Sequence, residues 1–509
     1  MPYENAERLS ALDAMFLGIE APEVHMHTGS LLVFEAGALR AEDGGLEIDR
    51  IEQALQSSIS YIPRLHQRID HVPLIGHPVW IDDDRFNLRF HVRHLSLPRP
   101  GNLRQLKRMA GRILSQPLDR GKPLWEMCFI DGLEGGRFAQ ICKVHHCMVD
   151  GASGVDLMTA LLATSPDATP KPARRWVTST KPGSLRLLVD ELKHRAGFPL
   201  AAVRAGRALM RDPQRTLATL QQTLAGVGEF LLNGVVPASD TPLNLQIGPY
   251  RRFDWMDVDL DRIKLIKRRL GGTINDVILT CVAGAMRTFL SSRGVRVTEL
   301  DFRAATPVNS RKSGTRAAGN HVSSLIIELP VGEADPRERL RRVIEATGHA
   351  KSTHQEVSTQ VFEELSDRTF PSLLVQMGQA VSWLRPCNTI VTNVPGPSFP
   401  LYMLGARLLE VYPYVPLLGN TGVAIALFSY DGHMFWGFNG EWDEFPDLHD
   451  LVEAVATEIE TLFTVADCHT PPAAASKRKP TSATARRKRK DPLRKGTKGS
   501  NDRSAQTAG

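Results

Sequence analysis

Two apolar runs joined through a glycine pair place the strongest constraint on how this chain folds. Pro123-Leu124-Trp125 opens the first run, which ends near Ile130, and the second, Phe138 to His145, has the length and β-branched content of a strand. Gly135-Gly136 supplies the turn between them. Both runs are apolar enough for central places in a sheet. The second ends in His145-His146-Cys147-Met148-Val149-Asp150-Gly151, after which Ser153 and Asp156 have capping-box spacing ahead of Leu157, Met158, Leu161 and Leu162. The seven-residue stretch is therefore expected to be a strand-to-helix loop, where scaffolds commonly present reactive side chains.

The other elements follow in irregular order. Leu9 to Leu17, with Ser10 and Asp13 at capping spacing, predicts a short helix, residues 29–34 a strand, and residues 48–61 and 102–114 amphipathic helices. Ser165 to Ser184 carries five prolines or glycines and reads as a linker, followed by a helical connector over 185–233. Further on, Gly271-Gly272 ends a helix over 260–270, and Thr273 and Asp276 precede a second one with Ile274, Val277, Ile278, Cys281, Ala285 and Phe289 on its inner face. Strands are expected at 301–308, 322–329, 388–394, 421–429 and 433–439, and helices across 335–380 and at 447–464. Strands and helices mix in both halves without strict alternation. That favours an α/β fold of the α+β sandwich kind over a doubly wound sheet. The divisions are 1–164, 165–240 as linker and connector, 241–470, and a tail at 471–509.

A length of 509 residues suits two domains with additions. The net charge of +6 is unevenly placed: residues 471–509 hold twelve Lys/Arg against two Asp/Glu, which leaves 1–470 at −4. A nucleic-acid groove on the folded body has little support. The tail is almost devoid of aliphatic residues and is expected to be disordered. Six cysteines without a Cys-x-x-Cys pair, and no basic-then-apolar leader, suggest reduced thiols in a cytosolic protein. The nearest approach to a spanning segment, Tyr414 to Tyr430, is broken by Asn420 and Thr421, so membrane contact is expected to be peripheral.

The chemistry of the opening stretch is that of an acid–base site. An imidazole titrates near neutrality and can take a proton from a hydroxyl. Successive strand residues face opposite ways, so one histidine is expected in a cleft and the other in packing, which disfavours joint metal ligation. Asp150 in the turn can orient the loop, and Gly151 leaves room for a bulky substrate. The same residues also fit a pair of packed core histidines in a tight turn. A Cys147 nucleophile served by His146 is a third reading, disfavoured because strand neighbours diverge.

The stretch resembles the His-His-x-x-x-Asp-Gly motif of the CoA-dependent acyltransferase superfamily. With Leu9 to Leu17, Pro123-Leu124-Trp125, Asn275-Asp276-Val277-Ile278-Leu279 and Asn393 to Pro397, it is similar to the bacterial wax ester synthase/acyl-CoA:diacylglycerol acyltransferase family over about residues 8 to 465. The resemblance implies two chloramphenicol-acetyltransferase-like domains with a channel between them. It implies an enzyme that transfers a fatty acyl group from acyl-CoA to diacylglycerol or a long-chain alcohol. His146 would be the base, His145 and Asp150 would support its geometry, and attack would be direct, with no acyl-enzyme, metal or resident cofactor. Asn275 and Asp276, at a helix start, would help stabilise negative charge, although Asp276 also suits the simpler job of capping. Asn393 to Pro397 is expected to shape a turn, and Cys147, where a smaller residue is expected, to narrow the channel.

Two alternatives stay open: a condensation-type enzyme on carrier-bound thioesters, and a non-catalytic lipid-droplet-binding relative. Beside the nucleic-acid or targeting reading that Arg486-Arg487-Lys488-Arg489-Lys490 invites, the tail suits either a solvated segment or attraction to anionic lipid, at a membrane's inner face or a droplet, worth about 1 kcal/mol per basic residue near the surface. Deleting 471–509 separates these in vesicle sedimentation. Attraction predicts weaker, less salt-sensitive binding to anionic vesicles, and a solvated tail predicts none of that change.

Overall fold

Gly135 and Gly136 both adopt positive φ, and the chain reverses there as a hairpin of β6 (Trp125–Leu133) and β7 (Arg137–His145). The computed structural model describes residues 6–42, 44–149, 151–195, 237–309, 322–352, 376 and 385–468. The expected connector beyond 195, the helical region beyond 352, Asp150 and the tail lie outside the described residues.

Around the hairpin a six-stranded sheet assembles in the order β12-β13-β2-β7-β6-β5. Here β2 is His27–Glu35, β5 Val92–Ser96, β12 Tyr402–Met403 and β13 Ala406–Tyr414. Only β5 runs parallel to its neighbour. Helices α2 (Ile48–Ile59), α3 (Leu103–Leu114) and α4 (Gly151–Leu161) pack on this sheet. A three-stranded sheet, β1-β4-β3 (Glu7–Arg8, Pro78–Asp82 and Gln67–His71), lies apart from it in pairing. Trp125 is anchored in the first core by its indole N–H, which donates to Leu65 O at 2.8 Å, and by His91 stacked at 4.5 Å.

The second six-stranded sheet has the order β10-β9-β11-β14-β15-β8. Its strands are Val322–Glu328, Arg303–Asn309, Thr389–Pro395, Val423–Tyr430, His433–Glu441 and Arg251–Asp259 in that order. Helices α5 (Leu260–Leu270), α6 (Ile274–Ser292), α7 (Pro336–Ser352) and α8 (Leu448–Asp467) accompany it. α6 is long and apolar enough to cross a bilayer, yet residues from Val277 to Leu290 are mostly buried in the second core, so its hydrophobicity is that of a core helix. Two mixed sheets, each with its own helices, form the α/β sandwich expected from the element order.

The strands β12 and β13 were not foreseen. Pro413 and Pro416 argue against a strand, since proline withholds a ladder donor. β13 takes it by pairing along one side with β2, in the register Val411↔Leu32 and Pro413↔Ser30, with a bulge between Leu408 and Glu410. The segment after 241 thus contributes to both sheets. Ser153 is another departure: α4 already begins at Gly151, so Ser153 lies inside the first turn and is not its N-cap. The turn closes early, with Met148 N–H donating to His145 O at 2.9 Å, and the chain enters the helix at once.

The first sheet and its helix α3 approach the second sheet closely at two places. Gly437 of β15 faces the backbone of β13, and a Cβ there would stand 1.9 Å from the Pro413 carbonyl oxygen. Gly111 of α3 similarly admits the Arg251 carbonyl of β8, 2.9 Å from where its Cβ would be. Arg251 is itself buried, its backbone N–H donating to Ser115 Oγ at 2.8 Å and its guanidinium to the Glu23, Gly248 and Tyr250 carbonyls. Backbone cannot yield as a flexible side chain can. Gly437→Ala is therefore expected to lower stability by about 1–3 kcal/mol through overpacking, read from denaturant midpoints, while Gly294→Ala at a position with open space around it but positive φ gives a smaller loss of purely local origin.

Candidate active site

β7 ends with its two faces already assigned to different tasks. Gln140, Cys142, Val144 and His146 share one face and line a cavity of about 600 Å³ between the sheets. Its first wall comes from β2, β7 and α4, and its second from β11, β14 and the 415–418 loop. Apolar residues dominate both walls, a composition usual for small-molecule sites.

His146 is fixed by its backbone and by a ring. Its N–H donates to Met26 O at 2.8 Å, and its imidazole lies against Phe16, ring centroids 4.3 Å apart and tilted by 40°. Phe16 belongs to α1 (Ala11–Ile19), whose N-cap Ser10 accepts from Asp13 N–H at 3.1 Å and donates to the Asp13 carboxylate at 2.8 Å. The short helix expected at the N-terminus thus holds the partner of the cavity histidine.

Lys143 and His145 lie on the opposite face, toward the C-terminal end of α3. Lys143 is buried and donates to Ile113 O and Gln116 O, both at 3.1 Å, with the Glu126 carboxylate 3.5 Å away. A cation here satisfies carbonyls that a helix end leaves unpaired. His27 of β2 reaches the same helix end, its Nε2 lying 3.0 Å from Leu114 O. His145 is fully buried; its Nδ1 accepts from the Cys147 N–H at 3.2 Å, which leaves the proton on Nε2, 3.7 Å from Glu20 Oε1. Burial opposes the charge on Glu20, but His145 and Arg120 outweigh it and hold its carboxyl at about 2. Arg120 donates to Glu20 at 2.6 and 2.8 Å.

Cys147 does not narrow the channel. It packs with Leu9, Leu17, Trp80, Leu118 and Leu124, away from the cavity, 3.0 Å from His145 Nδ1. Burial pushes its thiol well above the usual range, as expected of an inert core cysteine. Gly151 opens α4, and Asp150 falls outside the described residues.

Asn275 and Asp276 separate in role. Asp276 is buried and off the cavity: one carboxylate oxygen accepts from Thr273 N–H at 2.7 Å, closing the capping box, and the other from Thr347 Oγ1 at 2.8 Å. Asn275 reaches the cavity indirectly, its Oδ1 accepting from Asn393 Nδ2 at 2.7 Å. Asn393 lines the cavity from within β11, in the strand expected over 388–394; β11 runs on to Pro395, so a turn there starts later than the Asn393 to Pro397 expected. The signal available was a carboxamide interrupting the apolar run Ile390 to Val394. Gln140, likewise a lone amide among apolar strand residues, was also overlooked. Among the described residues no group of three or more His, Cys, Asp or Glu is placed to hold a metal ion.

Two mixed sheets flank an apolar cavity with a histidine on its wall. The wax ester synthase/diacylglycerol acyltransferase catalytic domain matches residues 9–278, and the C-terminal domain of the same family matches residues 318–463. The chain belongs to this family. A Mycobacterium tuberculosis H37Rv protein, provisionally named a diacylglycerol O-acyltransferase, is 30% identical over 475 residues, covering 91% of each chain. A similarly named Mycobacterium bovis protein is 30% identical over 471 residues, covering 90% of this chain and 96% of its own. Among solved structures, the wax ester synthase/diacylglycerol acyltransferase of Marinobacter aquaeolei VT8 superposes with a TM-score of 0.64 at 24% identity, covering 90% of this chain and all of that one. The first condensation domain of the CDA synthetase gives 0.55 at 18%, covering 91% and 97%. At these identities both structural likenesses are likenesses of fold.

Burial, the largest cause in each case, holds His25, His27, His66, His77 and His91 neutral, with His77 lowered to about 4. Their folded pKa values lie below the unfolded one. Stability is thus complete above about pH 6.5 and is lost as the unfolded chain takes up protons the folded chain refuses. Thermal denaturation should show a level Tm from pH 8 to 7 and a steady fall from about 6.5 toward 4, and His27→Gln should flatten that fall by the share of one proton.

Proposed function

We propose that the protein transfers a fatty acyl group from acyl-CoA to the hydroxyl of diacylglycerol or a long-chain alcohol, yielding triacylglycerol or wax ester. The observation that carries this is His146, an imidazole on the wall of an apolar cavity bounded by both sheets. In the proposed reaction a ring nitrogen of His146 takes the alcohol proton as the oxygen attacks the thioester carbonyl. The carbon–sulfur bond then breaks, and the imidazolium returns the proton to the departing thiolate, so ester and free CoA leave a neutral histidine. Asn393, tied to Asn275 at the start of α6, supplies amide polarity on the opposite wall, near a helix N-terminus that favours negative charge.

Direct attack is favoured over an acyl-enzyme. The cysteine on the cavity wall, Cys142, has its thiol pushed up to about 12 by burial, so it is a poor nucleophile near neutrality. His145 acts through position: with Glu20 it holds the turn from which His146 projects, and Asp150 is assigned to the same loop. The reaction as written calls for acyl-CoA as substrate and no resident cofactor. Substrates of this kind partition into lipid, which favours a cytoplasmic protein in peripheral contact with the inner face of a membrane or with droplets. The names of the mycobacterial relatives favour diacylglycerol as acceptor.

Release of free thiol from palmitoyl-CoA, followed with and without diacylglycerol or hexadecanol, tests the reading. Release should depend on the acceptor, and His146→Ala should lower kcat by about 10²–10⁴-fold with an unchanged Tm, the usual worth of a general base. Undiminished activity in that variant overturns the mechanism. Acceptor-independent release overturns the acyl-transfer assignment.

A further inference from the structure

The cavity floor is one face of the first sheet, and its residues stand in rows fixed by strand register. Nearest the motif, His146 meets Met26, and Thr28 pairs with Val144. The next row is Pro413, Ser30, Cys142 and Met127, and the one beyond is Val411, Leu32 and Gln140. All of these line the cavity. It therefore runs along the strands, and six residues at about 3.3 Å each place Gln140 roughly 20 Å from His146.

Gln140 is the anomaly of that floor. It is 3% exposed, and its Oε1 is buried without a hydrogen-bond partner. Its row neighbours Leu32 and Val411 offer no polar side chain, nor do Leu162 and Met403 elsewhere on the cavity wall. An amide oxygen left unmet in such a place costs about 1–3 kcal/mol, and a methionine or leucine would fill the same position without that cost. The amide presents an acceptor and a donor side by side. A hydroxyl, which donates once and accepts, is the small group that meets both; a carboxylate would meet the carbonyl with like polarity.

We propose that Gln140 is a specificity-determining residue that binds a hydroxyl at the far end of a long substrate chain. An extended chain advances about 3.5 Å for every three bonds, so roughly 20 Å corresponds to about seventeen bonds from the reacting carbon. The chain that suits the floor is a hexadecyl or octadecyl chain hydroxylated at or beside its terminal carbon. It is either the acyl chain of the thioester or the alkyl chain of the alcohol, since both substrates meet at His146. The inference takes His146 as the reacting end from the proposed function, but its test reads binding and needs no turnover.

Isothermal titration of the full-length protein with hexadecanoyl-CoA and 16-hydroxyhexadecanoyl-CoA forms one arm. Hexadecanol and 1,16-hexadecanediol, delivered in cyclodextrin, form the other. The terminally hydroxylated partner is expected to bind about tenfold tighter in one arm, the size of one well-met hydrogen bond, and the arm in which this occurs identifies the source of the chain. Gln140→Leu and Gln140→Met should invert the order, improving the plain chain and weakening the hydroxylated one, at a Tm no lower than that of the unsubstituted protein. 2-Hydroxyhexadecanoyl-CoA, with its hydroxyl beside the thioester, should gain nothing. Equal binding of plain and terminally hydroxylated chains in both arms, a preference that survives both substitutions, or an equal gain from the 2-hydroxyl overturns the proposal. Failure of the acyl-transfer reading shows instead as absent acceptor-dependent thiol release, which leaves these affinities readable.

Discussion

The structure depends on the two-residue period of β7. Even-numbered residues from Gln140 to His146 furnish the cavity, and odd-numbered ones from Ala139 to His145 furnish the packing beneath it. A slip of one residue against β2 would exchange the two sets, placing Lys143 in the channel and His146 in the core. The register is held from the far side: Lys143 and His27 bond the carbonyls at the end of α3, and His145 sits between Cys147 and Glu20. The charged and polar groups behind the sheet thus fix where the largely apolar cavity in front of it lies.

The second wall is positioned by contacts of backbone on backbone. Gly437 against Pro413 and Gly111 against Arg251 bring the two sheets closer than side chains would allow. Interiors packed to this density transmit displacement rather than absorb it. Asn393, bonded to Asn275, stands on the second sheet and His146 at the end of a strand of the first, so their separation is a property of these contacts.

Much of this was legible in local sequence. Capping pairs located the starts of α1 and α6, Gly135-Gly136 the hairpin, and alternation the division of labour between His145 and His146. Long-range pairing was not. β13 is a strand because β2 offers an edge, and Pro413 within it and Pro416 just after it mislead any reading made from the segment alone. Asp276 had a local explanation, the capping box, and that is the work its two oxygens do. Asn393 and Gln140 were passed over because an amide within an apolar run carries meaning only once the space in front of it is known.

The crossing of β13 also bears on synthesis. Until residues 406–414 leave the ribosome, β2 has one side paired with β7 and the other open, with Leu31 to Phe34 along it. An open apolar edge is a template for pairing with another chain. The first sheet, whose strands apart from β12 and β13 lie before residue 146, must therefore wait for more than half of the polypeptide before it can close, and during that interval a nascent chain is exposed to its neighbours on the same message.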